Sequence, residues 1–271
     1  MITLYDIPST APTSSWSINL LKARLSLNYK RVPYVTEWVE YPDIAALYIK
    51  HDIPAALTKA DGSPYYTLPM IHDSATGATI ADSLQIAKYL DATYPDTPRL
   101  FPDDTTAGVE SEVEQRIASL INTVQKTVFA PLWPPIMLAS LRILTPRSRA
   151  HFARVRAADV LASYGKASLE DIQLTDAEVE AAWKGIEENF TKTMRPVFNN
   201  PGGSSDDSQR WFLGDTISFA DIALASALLW IRQAFGSNSA EWARVGTWDG
   251  GEWIRFIDAL GQVGCTARLS H

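Results

Sequence analysis

Cysteine is nearly absent from this chain: Cys265 is the only one among 271 residues. An internal disulfide is therefore excluded, and no Cys-x-x-Cys pair exists to carry redox chemistry. The position of Cys265 near the C-terminus argues against a catalytic thiol, and a reducing cytoplasm is the expected compartment. Histidine is scarce as well, at positions 51, 72, 151 and 271, without metal-ligand spacing, so no metal is expected. No apolar run reaches the length of a membrane span, and the first residues lack the basic-then-apolar order of a secretory leader, so no membrane association is expected. Positive charge is in deficit. The net charge of −7 argues against nucleic acid as a partner. It also requires that any anionic substrate be held by local donors rather than by the field of the whole protein.

What is present is an ordinary globular composition, with 46% hydrophobic and 20% charged residues, and enough length for one large or two ordinary domains. Residues 1–94 alternate strand-like and helix-like segments. A strand is expected over Met1–Ile7, a Ser/Thr/Pro-rich loop to Ser15, a helix over Ser17–Tyr29 and a β-rich stretch over Arg31–Val39. Leu68–Asp73 and Ala78–Ile80 read as a hairpin with Thr76-Gly77 at the turn, followed by a helix with Ser83, Ile86, Ala87, Leu90 and Tyr94 on one face. The order βαβαββα predicts an α/β, thioredoxin-like domain. Pro95, Pro98 and Pro102 mark residues 95–104 as a linker. Residues 105–271 then read as an all-α domain. Thr175-Asp176-Ala177-Glu178 and Ser218-Phe219-Ala220-Asp221 have helix-capping spacing, the second ahead of a segment apolar enough to be a buried central helix.

Several segments could carry chemistry. Pro69 precedes a short apolar strand, where it removes a backbone donor. A trans proline at a strand start is the commoner geometry, whereas a cis Leu68-Pro69 bond would turn the backbone of Leu68 outward to pair with an extended peptide. Asp82-Ser83 opens a helix. That end suits the charged groups of an amino acid, and plain N-capping is the competing explanation. The loop Ser9–Ser17 is rich in hydroxyls, any of which could donate to a bound thiolate beside a helix terminus or simply cap the helix. Tyr5 is another hydroxyl but falls within the first strand, where core packing is favoured. Phe129, Trp133 and Tyr164 could line an apolar pocket, and the run Pro131-Leu132-Trp133-Pro134-Pro135 would break or kink a helix there and open space.

Taken together, Thr67–Ile71, Ile80–Leu90, the Tyr94–Pro102 linker and Phe212–Asp221 resemble the cytosolic glutathione transferases over nearly the whole length of the chain. The last segment is similar to the family's folding motif in its central helix. The Trp16-Ser17 opening and the long stretch Pro134–Asp171 look most like the fungal etherase-related class of wood-degrading fungi. This resemblance implies glutathione as co-substrate, no metal, and a homodimer. It implies that Ser17 stabilises the thiolate, that Leu68 and Pro69 meet the cysteinyl backbone, and that Asp82 and Ser83 hold the γ-glutamyl group. The glycyl carboxylate should be met from the second-strand region, with Trp38, Lys50 and His51 as candidates. Trp16, Phe129 and Trp133 would belong to the second-substrate pocket.

Two departures from the family pattern stand out. Asp82 replaces the more usual Glu and reaches one methylene less, and Ile18 stands where proline is common, which leaves Ser14 and Ser15 open beside Ser17. The expected activity is conjugation, or peroxide- or ether-type chemistry, on aromatic small molecules. The alternative is a ligandin that binds hydrophobic aromatics with little turnover. A purely structural role in an assembly is a third reading.

Overall fold

The structure is a computed structural model; it describes residues 1–11, 13–55, 57–59, 62–102, 112–166, 168–198 and 211–266. The N-terminal half runs β1 (Ile2–Asp6), α1 (Ile18–Tyr29), β2 (Tyr34–Trp38), α2 (Ile44–Lys50), β3 (Leu57–Thr58), β4 (Pro64–Tyr65), β5 (Met70–Asp73), β6 (Ala78–Ala81) and α3 (Ser83–Thr93). The main sheet has the order β2-β1-β5-β6. β1 is parallel to β2, and β5 is antiparallel to both β1 and β6, with Met70 opposite Tyr5 on one side and Ala81 on the other. This is the mixed thioredoxin-like sheet. The β5–β6 turn needs a positive φ, and Gly77 supplies it at 76°.

An all-α half follows, with α4 (Glu112–Thr123), α5 (Trp133–Ile143), α6 (Pro146–Tyr164), α7 (Asp176–Asn189), α8 (Arg195–Phe198), α9 (Phe219–Phe235), α10 (Ala240–Val245) and α11 (Glu252–Gln262). The proline run at 131–135 lies where the helical path is broken, between a stretch that ends at Val128 and the start of α5. Ala130–Leu132 is a single 3-10 turn, and Pro134 and Pro135 fall in the first turn of α5, where the missing N–H has no partner to lose. A Cβ on Gly185 of α7 would lie 2.9 Å from the Cβ of Pro131, so that ring and the α7 backbone are in close contact.

α1 is the element that joins the halves. Every residue from Leu20 to Asn28 is buried. The reason is its position, packed against α3 on one side and the central helix α9 on another. Such burial traps charge, and each trapped charge needs a partner. Arg24 and Asp6 form a 2.8 Å ion pair with both side chains fully buried. The same guanidinium donates to Thr36 Oγ1 at 3.1 Å, which ties α1 to β1 and β2. Lys30 meets Asp91 of α3 at 2.6 Å, and Asp91 also accepts the N–H groups of Leu100 and Phe101 in the linker.

The linker then hands over to α9, because Phe219 N–H donates to the carbonyl of Leu100 at 2.8 Å. At this helix start Asp221 is fully buried and accepts from the N–H of Phe212, the N–H of Ser218 and the Oγ of Ser218, each at 2.8 Å. Burial pushes its carboxyl up to about 6 even so, against the pull of those donors. The other predicted cap is also formed: Thr175 Oγ1 accepts from Glu178 N–H, and the Glu178 carboxylate accepts from Thr175 N–H. Replacing Asp221 with Ala strands three donors in the interior. We expect a loss of roughly 3 kcal/mol or more in chemical denaturation, from about 1–3 kcal/mol per buried unpaired group.

Candidate functional site

The Leu68-Pro69 peptide bond is cis. Leu68 is buried by its side chain, while its N–H and C=O have no hydrogen-bond partner among the described residues. On either side the chain is fixed, since Tyr48 Oη donates to the Thr67 carbonyl at 2.8 Å and Pro69 C=O accepts from Asp82 N–H at 3.2 Å. That last bond joins the proline loop to the start of α3, so the two segments about a dozen residues apart in sequence share one edge of the sheet.

Asp82 adopts a positive φ of 77° and caps α3, with Oδ1 accepting from Leu84 N–H at 2.9 Å and Gln85 N–H at 3.1 Å. Capping and ligand reception are therefore not rivals here. One oxygen of Asp82 serves the helix, and the N–H and Oγ of Ser83 are left without a partner among the described residues.

Ser17 is the N-cap of α1 in an extended conformation, and its hydroxyl makes no capping bond. It is half-buried and lines a cavity together with Leu68 and Thr67. Its two neighbours differ. Ser15 is fully buried close to Asp6, and the Ser14 carbonyl accepts from Ser9 Oγ at 2.7 Å while its backbone takes a φ of 58°. Neither Ser14 nor Ser15 lines the cavity. The Tyr5 hydroxyl is committed elsewhere, bonded to His51 Nε2 at 2.8 Å.

The cavity wall also includes Tyr41, Ile44, Tyr65 and Tyr66 in the N-terminal half and His151, Phe152, Val155 and Arg156 on α6. Its volume is about 80 Å³. Tyr41 stacks on His151 with centroids 6.1 Å apart and planes 11° from parallel. Burial, then the nearby cations Arg154 and Lys59, hold His151 below the usual imidazole range, which keeps the ring neutral at pH 7.

Sequence reasoning did not find these residues. Tyr41 and His151 are separated by 110 positions, and no local pattern marks either.

The remaining candidates lie away from this cavity. Trp16 is buried behind the wall, edge-on to Phe152 at 6.1 Å. Phe129 is a core residue of the helical half, stacked on Trp230, and Trp133 meets the same Trp230 edge-on from the start of α5. Tyr164 closes α6 and is half-buried. Trp38 ends the edge strand β2, 39% exposed, with the Arg24 guanidinium 5.6 Å from its ring. Lys50 is exposed at the end of α2. His51 instead stands beside His72, rings 5.2 Å apart, although the two are distant in sequence. Among the described residues no group of three or more His, Cys, Asp or Glu side chains is placed to hold a metal ion, and no helix is long and apolar enough to cross a membrane.

Residues 14–93 match the family model of the glutathione S-transferase N-terminal domain, and residues 117–262 match that of the C-terminal domain. A glutathione S-transferase-like protein of Aspergillus flavus, ustS, is 31% identical over 233 residues, which is 83% of this chain and 78% of the relative. The crystal structure of a glutathione S-transferase of Ceriporiopsis subvermispora, CsGST63524, in complex with glutathione, superposes with a TM-score of 0.83 at 36% identity over 97% of each chain. The glutathione transferase GSTFuA3 of Phanerochaete chrysosporium gives 0.83 at 34% identity over 97% and 96%.

The geometry also separates the serines energetically. Ser17→Ala removes no capping bond, so its unfolding free energy should stay within about 0.5 kcal/mol of the wild type in urea denaturation.

Proposed function

Because the chain belongs to the glutathione S-transferase family, we propose that it uses Ser17 to hold glutathione as the thiolate for attack on aromatic electrophiles bound in the cavity beside it. The observation that carries this reading is the Ser17 hydroxyl. It sits at a helix start, free of any capping bond, on the same cavity as the unpaired backbone of Leu68. Glutathione is the co-substrate. Its cysteinyl N–H and C=O are complementary to those of Leu68, as a short strand would be, and its γ-glutamyl end goes to Asp82 and Ser83. Trp38 and Lys50 lie off the cavity, so the glycyl carboxylate has no assigned partner in this reading.

The chemistry asks little of the protein. Lowering a thiol pKa by two units requires about 2.7 kcal/mol of preference for the anion. One charge-assisted hydrogen bond gives roughly 1.5–3 kcal/mol and a helix terminus about 0.3–1 kcal/mol more, so Ser17 and the N-terminus of α1 suffice. The thiol proton leaves to solvent. The sulfur lone pair then forms the new C–S bond, and the leaving group departs with the electrons of the bond that breaks. Holding the two substrates against each other supplies the rest.

The similarity to the Ceriporiopsis and Phanerochaete enzymes supports placing the chain in the fungal etherase-related class, and the family architecture supports a homodimer. A second reading, a ligandin, is favoured by the aromatic wall, where Tyr41, Tyr65, Tyr66, His151 and Phe152 face one space. The two readings part on Ser17. In the enzyme, Ser17→Ala should lower the rate of conjugation of a generic aromatic electrophile by about 10- to 100-fold, the worth of one such bond. An unchanged rate would leave only the ligandin. Under either reading Tyr65→Ala, at a half-buried position on the rim, should weaken binding of aromatic ligands several-fold in fluorescence titration, while glutathione affinity stays the same.

A further inference from the structure

A chain of four polar side chains fastens the end of α2 to the sheet. His51, the C-cap of α2, meets the Tyr5 hydroxyl of β1 through Nε2 at 2.8 Å. Its Nδ1 lies 3.4 Å from Thr79 Oγ1 on β6, and the same hydroxyl meets His72 Nδ1 on β5 at 2.9 Å. The two imidazole rings stand 5.2 Å apart. None of the four side chains lines the cavity. α2 has only seven residues, too few to keep a helix in water without tertiary anchors. Its other anchor touches the proposed glutathione site, because the Tyr48 hydroxyl donates to the Thr67 carbonyl at 2.8 Å, next to Leu68. Tyr48 and His51 belong to the same turn: the His51 N–H donates to Leu47 C=O, and Tyr48 C=O accepts from Ile53 N–H.

Counting protons shows what acid does to this chain. Tyr5 and Thr79 each bring one hydroxyl proton, and a neutral imidazole has one donor and one acceptor nitrogen. With both rings neutral the three contacts run in one sense, from Tyr5 to His51 to Thr79 to His72 or the reverse. One added proton is accommodated, since His51 then donates from both nitrogens and the Tyr5 oxygen accepts. A second makes His72 Nδ1 a donor as well. Thr79 Oγ1 is then caught between two N–H groups, and two positive rings repel each other across the short gap. The charges that bear on His51 are His72 from β5, Lys50 from its own helix and Glu37 from β2, and of these only Glu37 favours the imidazolium. Thr3 and Thr79, opposite His72 on the neighbouring strands, carry no charge. Burial, then His72 and Lys50, hold His51 below the usual imidazole range. A ring kept neutral by the fold supports the folded arrangement above its unfolded value of about 6.5, and that support is lost as pH falls through the lowered one.

We propose that His51 and His72 form a proton-operated latch on α2, closed at neutral pH and released in acid, through which pH controls the grip of the Leu68 loop on glutathione. Once the end of α2 lets go of the sheet, Tyr48 is no longer held in place. The Thr67 carbonyl then loses its anchor beside the backbone that meets the ligand. This rests on the reading that Leu68 pairs with the cysteinyl backbone of glutathione, and it adds a control on that site from the far end of α2.

The test is calorimetric titration of the intact wild-type protein and of His72→Gln with S-methylglutathione, at about pH 7 and about pH 5, values on either side of the imidazole range. The methyl group removes the thiol, and the remaining carboxyl and amino groups of this ligand titrate outside that span. Wild type should bind about 3- to 10-fold more weakly at the acid end. His72→Gln keeps a side-chain amide for Thr79 but cannot become charged, so its affinity should change by less than about twofold. No acid loss in wild type, or an equal loss in both proteins, overturns the latch. If neither protein binds S-methylglutathione even near neutral pH, the reading of the Leu68 site fails and takes this proposal with it. A second measurement needs no variant. In wild type without ligand, hydrogen-exchange protection of the α2 amides should fall relative to that of the α1 amides by about 3- to 10-fold over the same span. Protection that stays level in α2, or falls equally in both helices, overturns the proposal whether or not His72→Gln folds.

Discussion

The burial of α1 is the constraint on which the rest of this protein depends. A helix enclosed by sheet, α3 and α9 has no solvent face, so its polar residues must find partners inside. Arg24 finds Asp6 and so joins α1 to the first two strands. Lys30 finds Asp91, which in turn holds Leu100 and Phe101 of the linker. The linker reaches α9 through Leu100 and Phe219. Through these bonds the orientation of the helical half is set from within α1, and with it the placement of α6 across the cavity from Ser17.

The same helix explains why the site is where it is. Its N-cap, Ser17, carries the hydroxyl on the cavity. The other half of the site is one hydrogen bond wide: Asp82 N–H to Pro69 C=O brings the unpaired backbone of Leu68 next to the start of α3. An extended tripeptide with a charged amino-acid end matches that spacing of features. In the proposed binding mode it pairs its backbone with Leu68, sets its thiol near Ser17 and turns its carboxylate to the helix terminus.

The cavity is assembled differently from the glutathione side. Its N-terminal wall uses Tyr41, Tyr65 and Tyr66 from loops and a two-stranded ladder, while α6 supplies His151, Phe152 and Arg156. These are surfaces that can vary without disturbing the Arg24–Asp6 and Lys30–Asp91 pairs.

How much of this was readable in advance depends on how far apart the contributing residues lie. Pro69, the Asp82 cap, the Thr175–Glu178 box and the buried α9 were legible because each signal is carried by residues within a turn or two of one another, where backbone geometry and periodicity act. The burial of the Lys22 stem was readable in principle, as a charge inside Leu20-Leu21-Lys22-Ala23, though only the packing of α3 and α9 against α1 sets it. Trp16, Phe129 and Trp133 are aromatic residues of the kind that lines pockets. Side-chain type is silent on whether an aromatic faces a core or a cavity, and the structure sets the first two in the interior and Trp133 against Trp230. By itself, then, the sequence determined the α/β-then-α order, the proline loop and the Asp82-capped start of α3. The tertiary structure alone decided which serine meets the cavity and which aromatics wall it, because those properties arise from contacts between segments up to about a hundred residues apart, where no local rule of chain geometry reaches.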